Sequence, residues 1–479
     1  MKRLKRIVSI FVLFFLLNSI LYGCGLKEQP AYGVKEIEIW GVWDDSDIMD
    51  ELIKQYTDAN PQIGKITYRK MTFEEYEQDL GNAFEREKSP DIFIAHHSWL
   101  ADRRHRMLSQ NEAIQIYNQA AKARGGCSEP PLQEEPLISL NGLHTGYADV
   151  VYKDFVIDRR LYGMPLTVDT LALFYNEDLF SEVGIATPPR TWEELAETSQ
   201  KLTQIDENGN IKQSGIALGT ANNINRSSDI YLMLAMQKGS EIVDRETKEV
   251  TLTDQVSEGG SNKLINPALE ALDFYASFSE ATHENYTWNP RMHNSIDAFQ
   301  EGKLAMMINY TYAIENIRNK APKLNFKVVE IPQFENAKAE NKIAYANYWG
   351  YVVSSQSKFP PNEKNKPLEC WKFLTYLKEK KIIEQYVEET DSPAARKDVI
   401  EDQKYEPEIG VFAEQNLRAA TFYKPKSDEI DKVIIDNLED VALNRKEKDQ
   451  AIKEIETELK NVLSENEDYI EELERDLEE

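Results

Sequence analysis

One carboxylate stands where an apolar strand is expected. Tyr162–Phe180 reads YGMPLTVDTLALFYNEDLF, and Asp169 interrupts its run of apolar and β-branched residues. Such residues favour strands, and the proline after Met164 suits a strand's entry. An unpaired buried charge is costly, so Asp169 needs a partner. Three roles are open: a catalytic group, an ion-pair member with Arg159, Arg160 or Arg226, or an acceptor for a bound molecule. Aromatic residues make up 10% of the chain and gather at Trp40/Trp43, Tyr310/Tyr312 and Tyr345/Tyr348/Trp349/Tyr351. An aromatic ring offers a large apolar face with a polar edge, and an ionised carboxylate accepts several strong hydrogen bonds. Together they suit a polyhydroxylated ligand. Alternation along a strand also sends about half of such rings into a core.

The elements that must position these residues alternate. IEIWGVW (37–43) reads as a strand, followed by a capped amphipathic helix that ends at Pro61. ITYRKM is a second strand and residues 73–87 a second helix; SPDIFIAHHSWL is a third strand leaving a proline turn. This order predicts an α/β domain with a largely parallel sheet, whose ligands sit beyond the carboxyl ends of the strands. Trp40, Trp43, Asp44, His96, His97 and Trp99 fall there, and one of Asp44, Asp45 and Asp47 is expected to cap the next helix. Thr191 caps a further helix. The tail beyond Asp449 has helical apolar spacing with an acidic outer face.

Composition narrows the function. The chain opens MKRLKR and continues without charge from Ile7 to Gly23, the form of a secretory signal (residues 1–23). Leu21-Tyr22-Gly23-Cys24 resembles a lipobox, so Cys24 is expected to be lipidated, with residues 24–34 as a tether. No other run is long enough to span a bilayer. The formal charge of −27 becomes −31 once the four basic residues of the signal are removed, a balance that argues against nucleic-acid partners. Cys127 and Cys370 are the remaining cysteines, and no disulfide is expected. A mature chain of roughly 456 residues exceeds one ordinary core, so two lobes are expected.

Four stretches then carry a resemblance: SPDIFIAHHSW; YGMPLTVDTLALFYNEDLF with GIATPPRTWEEL; FQEGKLAMMINYTYA; and ANYWGYVVSS. In this order and spacing, from about residue 36 to 465, the chain resembles the extracellular solute-binding proteins of bacterial ABC importers, the maltose-binding-protein-like family. The resemblance implies a two-lobed, class II periplasmic-binding-protein-like α/β fold that closes on a solute between its lobes. It places the lobes at 35–168 with 352–402 and at 169–351 with 403–465, leaving 466–479 as an acidic helical tail. It also implies that Asp169 stands where the family's maltose-binding member has a sugar-contacting glutamate, and Tyr312 where it has a stacking tryptophan. Other maltose contacts fall at Ile94, His97 and Ser98, so the fold carries over and maltose does not. The expected ligand-binding set is Asp169, Tyr312, Trp40, Trp349, Asp44, His97, Tyr310, Trp99 and Tyr348. A monomer without cofactor or metal is expected, anchored outside the cell membrane and partnered by a separate permease and ATPase.

Two other classes compete. A secreted glycoside hydrolase needs two suitably spaced carboxyl groups, which 83 acidic residues do not exclude. Yet there is no nucleophile elbow, HExxH or P-loop, and His96-His97 are adjacent rather than at metal-ligand spacing. A purely structural surface lipoprotein predicts no closable cleft. Peptides and other polar solutes remain alternatives to a sugar, because one fold hosts many ligands.

Overall fold

The computed structural model describes residues 34–44, 46–123, 137–257, 262–358 and 365–478. The expected signal, Cys24, most of the tether, Asp45 and Cys127 lie outside them.

Two five-stranded sheets organise the chain. In the first, Ile66–Lys70, Ile37–Gly41 and Ile92–His96 run parallel. Trp349–Val353 joins antiparallel beside Ile92–His96, and Gly163–Met164 completes the edge. The second orders Phe326–Val329, Ala172–Asn176, Leu304–Asn309, Ile211–Ile216 and Gln204–Ile205. Ala172–Asn176 is antiparallel to both its neighbours. Both sheets are therefore mixed rather than largely parallel, because strands entering or leaving a lobe run against its βαβ units. Central strands such as LAMMIN are buried along their whole length, as strands covered on both faces must be.

Each sheet has its own core. One gathers Ile37, Ile39, Ile92, Phe93, Phe155, Val352 and Trp371; the other gathers Phe174, Trp192, Tyr275, Trp288, Met306 and Phe412. Cys370 is a free, buried residue of the first core, on the helix Lys366–Leu377. The strand Trp349–Val353 belongs to the first sheet, so the crossing falls just before Trp349 rather than after Tyr351.

Between the cores lies a small third sheet of Ala419–Ala420, Ala344–Asn347 and Asp169–Thr170. Asn347 pairs with Asp169 and Ala346 with Thr170 in antiparallel register, while Ala344 pairs with Ala419 in parallel. These short crossings are where the chain exchanges one core for the other.

The helix Lys448–Glu478 closes the second lobe. Its Ile452, Ile455, Leu459 and Leu463 are buried in the second core, and Asn466 then reaches the first lobe, donating through Nδ2 to the Ala101 carbonyl at 3.4 Å.

Candidate functional site

The crossing sheet sets Asp169 at the junction. Its carboxylate accepts the Thr311 backbone N–H at 3.1 and 3.3 Å and the Thr311 hydroxyl at 2.7 Å. Burial nevertheless raises its pKa to about 7, because these bonds only partly offset the lost solvation. Among the described residues no arginine forms an ion pair with it; Arg226 acts on it through its more distant charge.

The second lobe supplies one wall. The strand Leu304–Asn309 delivers Tyr310, Thr311 and Tyr312. Tyr312 is 40% exposed and donates its hydroxyl to Asn225 Oδ1 at 2.5 Å. Tyr310 is buried, with its hydroxyl on Asp229 Oδ2 at 3.0 Å. The Arg226 guanidinium lies 5.4 Å from the Tyr310 ring and 5.5 Å from the Tyr312 ring. Behind them Lys424 is buried on Asp431 at 2.7 Å and stands 4.0 Å from Asp229, whose pKa burial raises.

The first lobe contributes a cluster of rings. Trp349 pairs in register with His96, at the end of the strand Ile92–His96. Its ring lies 5.2 Å from Trp99, 5.3 Å from His96, 5.9 Å from Trp43 and 6.4 Å from Phe73. Trp43 and Phe73 are more than half exposed and 5.3 Å apart, leaving an apolar surface open to solvent. His96 Nε2 contacts Asn347 Oδ1 at 3.2 Å and Nδ1 contacts Ser98 Oγ at 2.7 Å. Burial, then His97, Lys424 and Arg226, push the His96 pKa far down, so its ring is neutral. The contact to Asn347 and the pairing of Asn347 with Asp169 link the ring cluster directly to the carboxylate.

The expected residues therefore divide. Asp169, Tyr312, Tyr310 and Trp349 are brought to the junction, with Trp99 packed beneath Trp349. Trp99 itself is buried, stacked on Tyr76 and covered by Arg103 at 4.4 Å. Trp40 is buried within its strand, its indole N–H on Glu38 at 2.7 Å and Arg69 4.9 Å from the ring. Asp44 is buried beneath the hydroxyls of Tyr68, Tyr351 and Tyr386, out of reach of solvent. His97 and Tyr348 stack on each other at 5.0 Å, and both turn to Asp154. Their aromatic and polar character is spent inside the protein. The polar residues absent from the expected set are Thr311, Asn225, Asn347 and Lys424, together with Arg226, named only as a partner for Asp169. The sequence hint for Thr311 was its place between two tyrosines in INYTYA; Asn225 had none.

A sequence profile of the bacterial extracellular solute-binding proteins matches residues 51–413. The chain belongs to that family. The Bacillus subtilis maltodextrin-binding protein is 26% identical to this solute-binding protein over 309 residues, covering 60% of this chain and 64% of the relative. The multiple sugar-binding protein of Streptococcus mutans is 24% identical, covering 55% and 57%. Among these curated relatives, matches thus span from about half to two thirds of the relative's own length. The sugar-binding protein MalE of Xanthomonas citri superposes with a TM-score of 0.68 at 17% identity, covering 91% of this chain and 99% of that one. The cyclic α-maltosyl-1,6-maltose binding protein of Arthrobacter globiformis gives 0.67 at 17%, covering 90% and 99%. These superpositions establish the two-lobed binding-protein fold. Family and neighbours are binding proteins, and among the described residues no helix is long and apolar enough to cross a membrane.

Proposed function

We propose that this protein is an extracytoplasmic receptor for a sugar or oligosaccharide, which it grips between its lobes and hands to an ABC importer. The observation that carries the reading is the junction of a carboxylate, Asp169, with Tyr312 on one side and the Trp43–Phe73–Trp349 surface on the other. Rings take the C–H faces of a pyranose, and the carboxylate and neighbouring amides take its hydroxyls. Relatives named for maltodextrin and multiple-sugar binding support a carbohydrate. In this reading Asp169, Tyr312 and Trp349 contact solute, with Tyr310 and Trp99 as their support. Lobes 35–168 with 352–402 and 169–351 with 403–465 close about the crossing sheet, apart from the boundary shift at Trp349. Cys24 carries the lipid anchor, and the permease and ATPase are separate chains.

A thermal-shift screen of the mature protein against mono- and oligosaccharides, polyols and peptides tests the reading, because a true ligand raises the melting temperature by mass action. Stabilisation by saccharides is expected. Stabilisation by peptides alone removes the carbohydrate reading, and hydrolysis products in the wells replace it with an enzyme.

A further inference from the structure

Arg226 is the cation of the cleft whose fork is unspent. Among the described residues it forms no ion pair within 4 Å, and its one hydrogen bond goes from Nε to the Tyr312 hydroxyl at 3.4 Å. Nη1 and Nη2 are left over. The side chain is exposed to solvent, and its guanidinium carbon lies 5.4 Å from the Tyr310 ring and 5.5 Å from the Tyr312 ring. Each nearby carboxylate is engaged elsewhere. Asp169 is bonded to Thr311, and Asp229 accepts from Tyr310 and lies near Lys424. Lys424 is paired with Asp431 at 2.7 Å and lies 4.0 Å from Asp229, whereas Arg226 has no such partner among the described residues. A planar guanidinium beside two tyrosine rings, with Nη donors that have no partner among the described residues, is suited to bidentate binding of an oxyanion, above all a carboxylate.

We propose that Arg226 sets the specificity of the cleft by binding an acidic group on the sugar, so that the solute is a uronic-acid-containing oligosaccharide. This rests on the carbohydrate reading above and narrows it. The carboxylate receives the two Nη donors, while the ring that bears it lies between Tyr312 and the tryptophan surface. A sulfated sugar offers the same charge in a tetrahedral group, which fits the planar fork less well.

Isothermal titration decides it, with trisaccharides of galacturonate and of glucuronate, their neutral galactose and glucose counterparts, and a sulfated galactose oligomer. The wild-type protein is expected to bind a uronate trimer ~10-fold or more tighter than its neutral counterpart, a ratio that shrinks as salt is raised. Arg226→Asn is expected to abolish this ratio, and Arg226→Lys to keep only part of it. The Asn variant suits the fold, since residue 226 has φ 64° and ψ 29°, a conformation Asn accepts readily. Equal or tighter binding of neutral trimers, or an acidic preference that survives Arg226→Asn, overturns the proposal and leaves the carbohydrate reading standing. A preference for the sulfated oligomer over both uronates overturns the carboxylate assignment. Absence of binding by any saccharide overturns both.

Discussion

Asp169 and its contacts illustrate how one residue's chemistry is set by what surrounds it. A carboxyl group with a pKa of about 7 is only partly ionised at neutral pH, whereas its unfolded counterpart ionises near 4. The ionised form is the better acceptor of sugar hydroxyls. Saccharide affinity is therefore expected to rise between pH 6 and 8, and titrations of Asp169→Asn should show that rise gone and affinity ~10-fold or more weaker. His96 does not compete as the titrating group, because it stays neutral across that range. Stability runs the other way. The folded state holds the Asp169 proton more tightly, so its contribution is complete below the unfolded pKa and is lost as pH rises towards 7. Denaturant midpoints of Asp169→Asn should fall less over that window than those of the wild type. Thr311 acts on the carboxylate as a positioning residue: Thr311→Val removes the 2.7 Å bond and should move the affinity midpoint to higher pH. An unmoved midpoint would mean that the hydroxyl does not tune Asp169. The carboxylate was legible because it broke an apolar run; its partner was not, since Thr311 lies 142 positions away.

At the scale of elements, Asp154 joins pieces of both lobes. It lies in the last turn of the short helix Asp149–Phe155 and accepts from Arg245 at 2.9 Å, Thr421 at 2.8 and 2.9 Å and Tyr348 at 2.8 Å, with His97 Nδ1 at 3.3 Å. Burial alone would raise its pKa, but Arg245, His97 and Tyr348 hold it below the usual carboxylate range. Asp154→Ala strands these donors and is expected to destabilise the protein by about 3–5 kcal/mol, measured by urea unfolding. The contribution of Asp154 is present above the unfolded pKa and is lost as pH falls towards the depressed folded one, so the wild type's advantage over Asp154→Ala should shrink in acid. A difference between the two proteins that stayed constant with pH would contradict this account. The exposed rings form the other element-scale feature. Trp43 and Trp349 lie 5.9 Å apart beside the junction, so bound saccharide should change intrinsic fluorescence, and Trp43→Phe should reduce that change. The strand-borne rings Trp40 and Tyr348 show the limit of sequence reading here. Period-two alternation says that half of such rings turn inward, and only packing selects the half.

For the molecule as a whole, the crossing sheet is where two independently packed cores meet. In the function proposed above, closure is a rotation about Asp169–Thr170, Ala344–Asn347 and Ala419–Ala420, driven by the solute's better contacts in the closed state. Small-angle scattering should report a smaller radius of gyration with a bound saccharide, and an unchanged envelope would count against closure. Further contacts run across the lobes, Tyr423 to the Ala101 carbonyl at 3.3 Å and the ring of Tyr469 5.9 Å from His105, and the proposed closure would have to keep or remake them.

The order of apolar strands, amphipathic helices and proline breaks was enough to determine an α/β chain, because periodicity and turn chemistry are local. The resemblance extended this to two lobes, since it rests on the order of four stretches. What only the tertiary structure decided is which polar groups are free. Asp44 and Asp169 are both aspartates beside strands, but three tyrosines close over one while the other lies at a crossing. Arg226 resembles any other arginine until the fold sets it beside two tyrosine rings with no carboxylate of the described residues in ion-pair reach. Those outcomes depend on distances between residues far apart in the chain, and no local pattern encodes them.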